Sequence, residues 1–234
     1  MGVTASNTDM NTLRMASHGT SDAATSTTLD TGYAFAKRLL DVAFSAGVIV
    51  VCLAPGIVLC AACALDTKGS PIFSETRVGR GGKPFKLYKF RTMMAGDNDL
   101  ETILTPDQME QWQLERKVDD DPRITRFGNF LRSTSIDEFP QFANVLLGQM
   151  SVIGPRAITP EEIETNFTRE ERELLLSVRP GISGLWQTGP RNDATFESGL
   201  RQQIELDYVA RASLGLDVRL FFRTFASIFK RTGK

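Results

Sequence analysis

The 234-residue sequence predicts an α+β chain, mostly helical, in which a bent apolar helix, a short β-hairpin and amphipathic helices gather around a small core. Three observations carry this reading. Val42–Leu65 is apolar and free of charge, with Pro55-Gly56 near its middle. Pro71–Thr92 alternates apolar and polar residues on both sides of Gly79-Arg80-Gly81-Gly82. The remainder is a series of charged segments with helical spacing, punctuated by Pro and Gly.

Residues 1–32 are rich in Ser, Thr, Asp and Asn and have no apolar period. That is the composition of a disordered tail. It lacks the basic start, apolar core and cleavage site of a signal peptide. Residues 33–68 are expected to be inserted in a membrane. A straight helix over Val42–Leu65 would be about 36 Å long, against a hydrocarbon core of about 30 Å. Pro55 should break such a helix, because it removes a backbone bond and crowds the preceding turn. Lys37 and Arg38 precede the segment and Lys68 follows it, so charge gives no orientation. A spanning helix and a re-entrant one both remain open from these residues.

Residues 69–234 form the rest. Pro71–Val78 and Phe85–Arg91 read as the two strands of a hairpin. Alternation puts Phe85, Leu87, Lys89 and Arg91 on one face, with two cations spaced to hold a diphosphate. The glycines do not make a P-loop. Leu100–Lys117 reads as a charged helix broken near Pro106, and Asp119-Asp120-Asp121 as a solvated acidic turn. Pro160–Leu176 reads as one helix capped by Thr159, with Glu161 and Glu162 in its first turn. Arg179–Gly184 is a loop with little freedom. Phe196–Arg211 is a helix carrying Glu205, Asp207 and Tyr208. Leu216–Lys230 has a broad apolar face of Leu220, Phe221, Phe225, Ile228 and Phe229, with Arg219, Arg223, Lys230 and Arg231 beside it. It suits a membrane surface or a core-facing position equally.

The candidate chemistry lies at Asp137-Glu138. Pro140 belongs in the first turn of a helix over Phe142–Leu147, which puts the two carboxylates near a helix N-terminus, where anions are favoured. Arg126, Arg132 and Arg156 surround the pair in sequence. Carboxylates, arginines and a helix end point to phosphate chemistry with a divalent cation. N-capping with surface ion pairs is the plainer alternative.

Composition narrows the choice. There are 27 Lys and Arg against 28 Asp and Glu, so no global pull towards nucleic acid exists. The single His, His18, lies in the polar tail, which disfavours His triads, His-ligated zinc and His acid–base catalysis. Cys52, Cys60 and Cys63 all lie in the apolar stretch and read as packing residues, not a disulfide framework.

Taken together, the motifs resemble the bacterial sugar transferases that start glycan assembly on a polyprenol carrier, the monotopic phosphoglycosyl transferases. The likeness runs from about Ala36 to the C-terminus. It rests on Lys37-Arg38-x-x-Asp41, Pro71-Ile72-Phe73, Lys89-Phe90-Arg91-Thr92-Met93 and Asp121-Pro122-Arg123-Ile124-Thr125-x-x-Gly128. It continues through Asp137-Glu138-x-Pro140-Gln141, Asn144-Val145, Met150-Ser151-x-Ile153-Gly154-Pro155-Arg156, Pro180-Gly181-Ile182-x-Gly184 and Asp207-Tyr208. The departures are Phe139 for Leu, Gln149 for an acid, Ala157 for Pro and Trp186 for a small residue.

The resemblance implies transfer of a sugar 1-phosphate from a UDP-sugar to polyprenol (undecaprenyl) phosphate, releasing UMP, as the first membrane step of exopolysaccharide or other glycan assembly. It implies that Asp137 is a nucleophile forming a covalent phosphosugar intermediate and that Glu138, with Asp137, supports Mg²⁺. Lys89, Arg91, Arg132 and Arg156 would hold phosphates, with Asp207, Tyr208, Gln187 and Arg191 also at the site. It favours the re-entrant helix bent at Ala54-Pro55, anchored by Lys37 and Arg38 to membrane lipid on the cytoplasmic face of the bacterial inner membrane. The residues alone leave two alternatives: a metal-dependent phosphohydrolase of nucleotide sugars or lipid diphosphates, and a non-catalytic membrane-anchored scaffold.

Overall fold

A computed structural model describes residues 31–96, 100–115, 118, 120–189 and 194–229. The expected polar tail up to Asp30 and the loop residue Arg191 lie outside the described residues. Thr31 and Gly32, assigned to the tail by composition, are already helical.

Helix α1 (Thr31–Val51) and helix α2 (Leu53–Thr67) meet at Cys52 with a bend of 66°. The break therefore lies a turn before Pro55, not at it. Pro55 offers no N–H to the Val51 carbonyl and its ring crowds that carbonyl, so the helix gives way upstream. Pro55 then occupies the first turn of α2, where no bond is lost. Among the described residues no single helix is long and apolar enough to cross a membrane, but the bent pair together meets that length and composition. Val50, Val51, Leu53, Ile57, Val58 and Leu65 flank the bend and the α2 face, each at least 60% exposed.

Both ends of the bent pair are fastened to one body. At the start, Lys37 Nζ and the Tyr33 hydroxyl reach Asp217 Oδ2 at 2.7 and 2.9 Å. The Arg38 guanidinium donates to the Val145 and Leu146 carbonyls at 2.7 and 3.2 Å. These are the last carbonyls of α6 (Gln141–Leu146; α3 to α5 are given below), where a cation is favoured. Asp41 is buried and accepts from Ser151 Oγ at 2.7 Å and the Val152 N–H at 3.0 Å. At the other end Thr125 Oγ1 donates to Asp66 Oδ2 at 2.5 Å, and the Ala95 N–H to the Thr67 carbonyl at 2.8 Å.

Strands β1 (Ile72–Val78) and β2 (Pro84–Phe90) form the expected antiparallel hairpin, pairing Phe73 with Lys89, Glu75 with Leu87 and Arg77 with Phe85. Partners opposite one another share a face. That face therefore carries Arg77, Leu87 and Lys89 together. Helices α3 (Leu100–Ile103) and α4 (Pro106–Glu115) show the break expected near Pro106. The acidic turn is not uniformly solvated. Asp121 is buried and held by Arg123 through Nη2 at 2.5 Å, whereas Asp119 lies outside the described residues.

Helix α5 (Arg126–Ser133) is capped by Thr125, whose Oγ1 accepts the Gly128 N–H at 2.8 Å. It lies so close to Thr92 that a Cβ at Gly128 would stand 2.0 Å from the Thr92 carbonyl. Where one helix was expected over Pro160–Leu176 there are two, α7 (Pro160–Asn166) and α8 (Arg169–Leu175). Thr159 with Glu162 and Thr168 with Glu171 each make a capping box, and the second box starts a new helix.

Strands β3 (Ser151–Ile153) and β4 (Gly181–Ser183) pair in parallel. The sequence reading made Arg179–Gly184 a loop and assigned no element to Ser151–Ile153. Three-residue strands bounded by Gly and Pro carry no alternation to detect. Their pairing brings Gly154 onto Gly181 so tightly that a Cβ at Gly154 would lie 2.7 Å from the Gly181 nitrogen. The chain ends in α9 (Leu185–Thr188), α10 (Leu200–Ala210) and α11 (Leu214–Phe229). Helix α11 faces the core with one side and leaves another exposed: Asp217 and Leu220 are buried, while Val218, Phe222 and Phe225 are exposed.

Three apolar clusters hold these elements. The largest joins Ile153, Ile163, Leu175, Tyr208, Val209 and Leu220. Phe85, Leu87, Val145 and Met150 pack beneath the hairpin. Cys63, Phe90 and Leu131 tie α2 to the hairpin and α5, with Phe139 against them.

Candidate active site

The dyad lies just before α6, near the helix N-terminus where the sequence reading put it. Asp137 and Glu138 lie in a 3₁₀ turn, Ile136–Glu138, between α5 and α6. Ser135 enters that turn with φ 57°, a left-handed conformation rare for a residue with a Cβ. Pro140 stands at the N-cap of α6. Asp137 is buried, and Glu138 lines a small, partly open cleft.

The cleft is cationic. Lys89, Arg156 and Arg77 line it with Glu138, Gln141 and Gln187, between apolar walls that include Leu87, Ala157 and Ile182. Burial pulls the Lys89 ammonium below its ordinary range; Glu138 and Asp137 push it back up, and Arg156 and Arg77 add to the lowering. Burial likewise lowers Arg132, against the charges of Asp137 and Asp121. Arg132 Nε donates to Thr92 Oγ1 at 2.9 Å. Asp137 thus has the cations of Lys89 and Arg132 within electrostatic reach.

Arg77 was missed by the sequence reading, which placed it only within a strand. It is buried, bonded to Glu162 at 3.1 Å, to Glu75 at 2.6 Å and to the Ala157 carbonyl at 3.2 Å. Its position across from Phe85, two residues from Leu87, is the signal that places it beside Lys89.

Arg91 does not join Lys89 in the cleft lining. Strand β2 ends at Phe90, so the alternation stops. Arg91 Nε donates to the Ser70 carbonyl at 2.7 Å and its guanidinium lies 5.8 Å from the Phe73 ring. Asp207 is exposed and paired with Arg211 on its own helix. Tyr208 is buried, donating to Asp217 Oδ1 at 2.7 Å; it ties α10 to α11 and, through Asp217, to Lys37.

The acid that α10 does bring to the cleft's arginine is Glu205. It is fully buried and its Oε2 accepts the Arg156 N–H at 3.0 Å. Burial pushes its carboxyl up to about 7, against the Arg156 N–H and the charges of Arg201 and Arg156. On the far side of Arg156 lies Trp186, 5.1 Å from the guanidinium, with Arg201 at 4.6 Å from the same ring.

The Glu205 shift has a consequence for stability. A carboxyl raised in the folded state binds more protons there, so stability is lost as pH rises from its ordinary value of 4.5 through about 7. Glu205→Gln keeps an acceptor for Arg156 without the charge. The variant should gain on the wild type through that pH window, by roughly 3 kcal/mol above it, and match it below. Thermal unfolding across pH 4 to 8 checks this; parallel curves would contradict it.

Residues 32–231 match the family described as bacterial sugar transferase. The chain belongs to that family. Among similar curated proteins, the exopolysaccharide production protein ExoY of Rhizobium meliloti (strain 1021) is 38% identical over 197 residues, 82% of this chain and 85% of that protein. A UDP-galactose-lipid carrier transferase of Erwinia amylovora is 37% identical over 202 residues, 85% of this chain and 41% of that protein. The undecaprenyl-phosphate galactose phosphotransferase of Salmonella typhimurium is 36% identical over 203 residues, 85% of this chain and 41% of that protein. The chain therefore spans about two fifths of the length of the last two relatives. In this sugar transferase the matched region runs from the second residue of α1 to past the end of α11.

Proposed function

We propose that the protein transfers a sugar 1-phosphate from a UDP-sugar to polyprenol phosphate at a membrane surface. The observation that carries the reading is the convergence of Lys89, Arg77 and Arg156 on one cleft with Glu138, beside the buried Asp137. Relatives named as undecaprenyl-phosphate galactose phosphotransferase and as UDP-glucose:undecaprenyl-phosphate glucose-1-phosphate transferase support the substrate classes.

Donor and acceptor are both anions, so the cations must screen them before they meet. An oxygen of Asp137 attacks the sugar-bearing phosphorus of the donor; the bond to the bridging oxygen breaks and UMP leaves. The acceptor phosphate oxygen then attacks the same phosphorus, and the bond to Asp137 breaks. Splitting the transfer lets each anion approach in turn. Lys89, Arg156 and Arg77 hold the phosphates, and Arg132 offsets the charge at Asp137.

Mg²⁺ belongs to this reading. Among the described residues no three His, Cys, Asp or Glu side chains are grouped to hold a metal. Mg²⁺ is commonly held by one or two carboxylates, with substrate phosphates and water completing its shell. Glu138 in a phosphate-binding cleft, next to Asp137, fits that donor set. Bound there, the ion would neutralise phosphate charge.

The acceptor is too apolar to leave a bilayer, so the dyad must sit at interface depth. The bent pair α1–α2 supports a re-entrant insertion: both its ends bond to the same body and so lie on the same side. Single cysteines at Thr31 and at Lys68, in a chain lacking Cys52, Cys60 and Cys63, should both be protected from an impermeant reagent in intact cells. Labelling of the Thr31 site alone would show a spanning helix.

Arg156→Ala should lower kcat/KM for the UDP-sugar by roughly 1.5–3 kcal/mol equivalent, the worth of a charge-assisted contact. A folded variant with unchanged kcat/KM would remove Arg156 from the phosphate site. The function itself is tested by UMP release from purified protein. Multiple-turnover release only with polyprenol phosphate, with at most one equivalent per enzyme in its absence, supports transfer. Continued release without lipid indicates hydrolysis, and none with any UDP-sugar indicates a scaffold.

A further inference from the structure

Among the described residues, both amide atoms of Gln187 are buried and have no hydrogen-bond partner. Ser45, Gln202 and Glu205 also carry such an atom, but Gln187 is the one of these that lines the cleft. A buried amide left without partners is costly, so a persistent one calls for an explanation.

The local structure holds it there. Thr188 Oγ1 closes the one-turn helix α9 onto the Gly184 carbonyl at 2.8 Å. The preceding Trp186 is buried on the other side, its indole N–H donating to the Ala194 carbonyl at 3.0 Å and its ring against Arg156 and Arg201. With Trp186 so fixed, the next side chain is committed to the cleft. It meets Leu87, Ala157 and Ile182 as apolar walls and Arg77, Lys89 and Arg156 as cations.

A buried, partner-free amide beside apolar side chains and phosphate-binding cations matches the polar edge of a flat ring with apolar faces. We propose that Gln187 reads the nucleobase of the donor: its carbonyl accepts the ring N–H of a pyrimidine imide, and its NH₂ donates to the adjoining ring carbonyl. This rests on the donor being a nucleoside diphosphate sugar.

The test is calorimetric binding to the full chain in detergent. The probes are UDP, the UDP analogue methylated at ring N3, a UDP-sugar and pyrophosphate. Gln187→Leu keeps approximate shape and removes the amide. UDP affinity should fall about tenfold in the variant while pyrophosphate affinity stays the same. N3 methylation should weaken binding to the wild type by a similar factor and leave the variant indifferent. Equal affinity of both proteins for UDP, or equal losses for UDP and pyrophosphate, would overturn the assignment. A loss confined to the UDP-sugar would also overturn it, moving Gln187 to the sugar. If Gln187→Leu fails to fold, the methylated probe on the wild type decides alone: unchanged affinity ends the proposal. A wild type that binds pyrophosphate but not UDP would instead end the nucleotide-donor reading.

Discussion

Asp137→Asn should abolish the proposed sugar-phosphate transfer, with turnover falling to the level without enzyme. The substitution keeps the size of the side chain and most of its hydrogen bonding, so the turn Ile136–Glu138 and its packing between α5 and α6 should persist. It removes the attacking oxygen's charge, and a neutral amide is a poor nucleophile towards phosphorus. Lys89 and Arg132 stay in place, so donor binding should survive or tighten slightly, with one anion fewer beside the phosphates. The split is therefore specific: UDP-sugar still binds, and UMP no longer appears. Glu138→Gln should differ, reducing turnover without removing the attacking atom. An Asp137→Asn protein with near-normal turnover would make the dyad a binding element in a direct displacement.

The largest loss of stability is expected from Asp217→Ala. One carboxylate there takes Lys37 at 2.7 Å, Tyr33 at 2.9 Å and Tyr208 at 2.7 Å, and its side chain is only 9% exposed. Removing it leaves a largely buried ammonium and the Tyr33 phenol without their acceptor, and Tyr208 with only the Ile153 carbonyl at 3.3 Å. Breaking one partner of a buried pair costs about 3–5 kcal/mol. Asp217→Asn should cost less, because an amide still accepts from Tyr208 while losing the charge that holds Lys37. Thermal unfolding in one detergent should rank the proteins wild type, Asn, Ala. Proteolysis should open the junction of α1 with the body first, since Arg38, Asp41 and the packing of Phe44 on Phe142 and Phe221 then hold it without the Asp217 bonds. Equal unfolding temperatures would mean that the junction contributes nothing.

How much of this could be read from the chain follows from the range of each interaction. The hairpin was legible because alternation and a glycine turn are local. The bend was legible from Pro55, though the break lies at Cys52 because proline acts on the carbonyl four residues back. Lys37, Arg38 and Asp41 were noted as charges beside a membrane segment. Their bonds to Asp217, Val145 and Ser151 span more than 100 residues and leave no local trace. Glu205 was within reach: Arg201, Glu205, Tyr208 and Val209 follow helical spacing and all are buried, whereas Asp207 falls on the outer face. The approach of Trp186 to Arg156 and Arg201 depends on the β3–β4 pairing, which no periodicity announces.

The most direct measurement is the intact mass of the wild-type protein after mixing with UDP-sugar and Mg²⁺ and no lipid acceptor. The account expects a mass increase equal to one sugar phosphate, located by peptide mapping at Asp137, lost on adding polyprenol phosphate and absent from Asp137→Asn. Rapid quenching within the first turnover, under conditions where the same preparation releases UMP, makes a null result meaningful. An unmodified protein at every quench time, or an adduct on a residue other than Asp137, would contradict it.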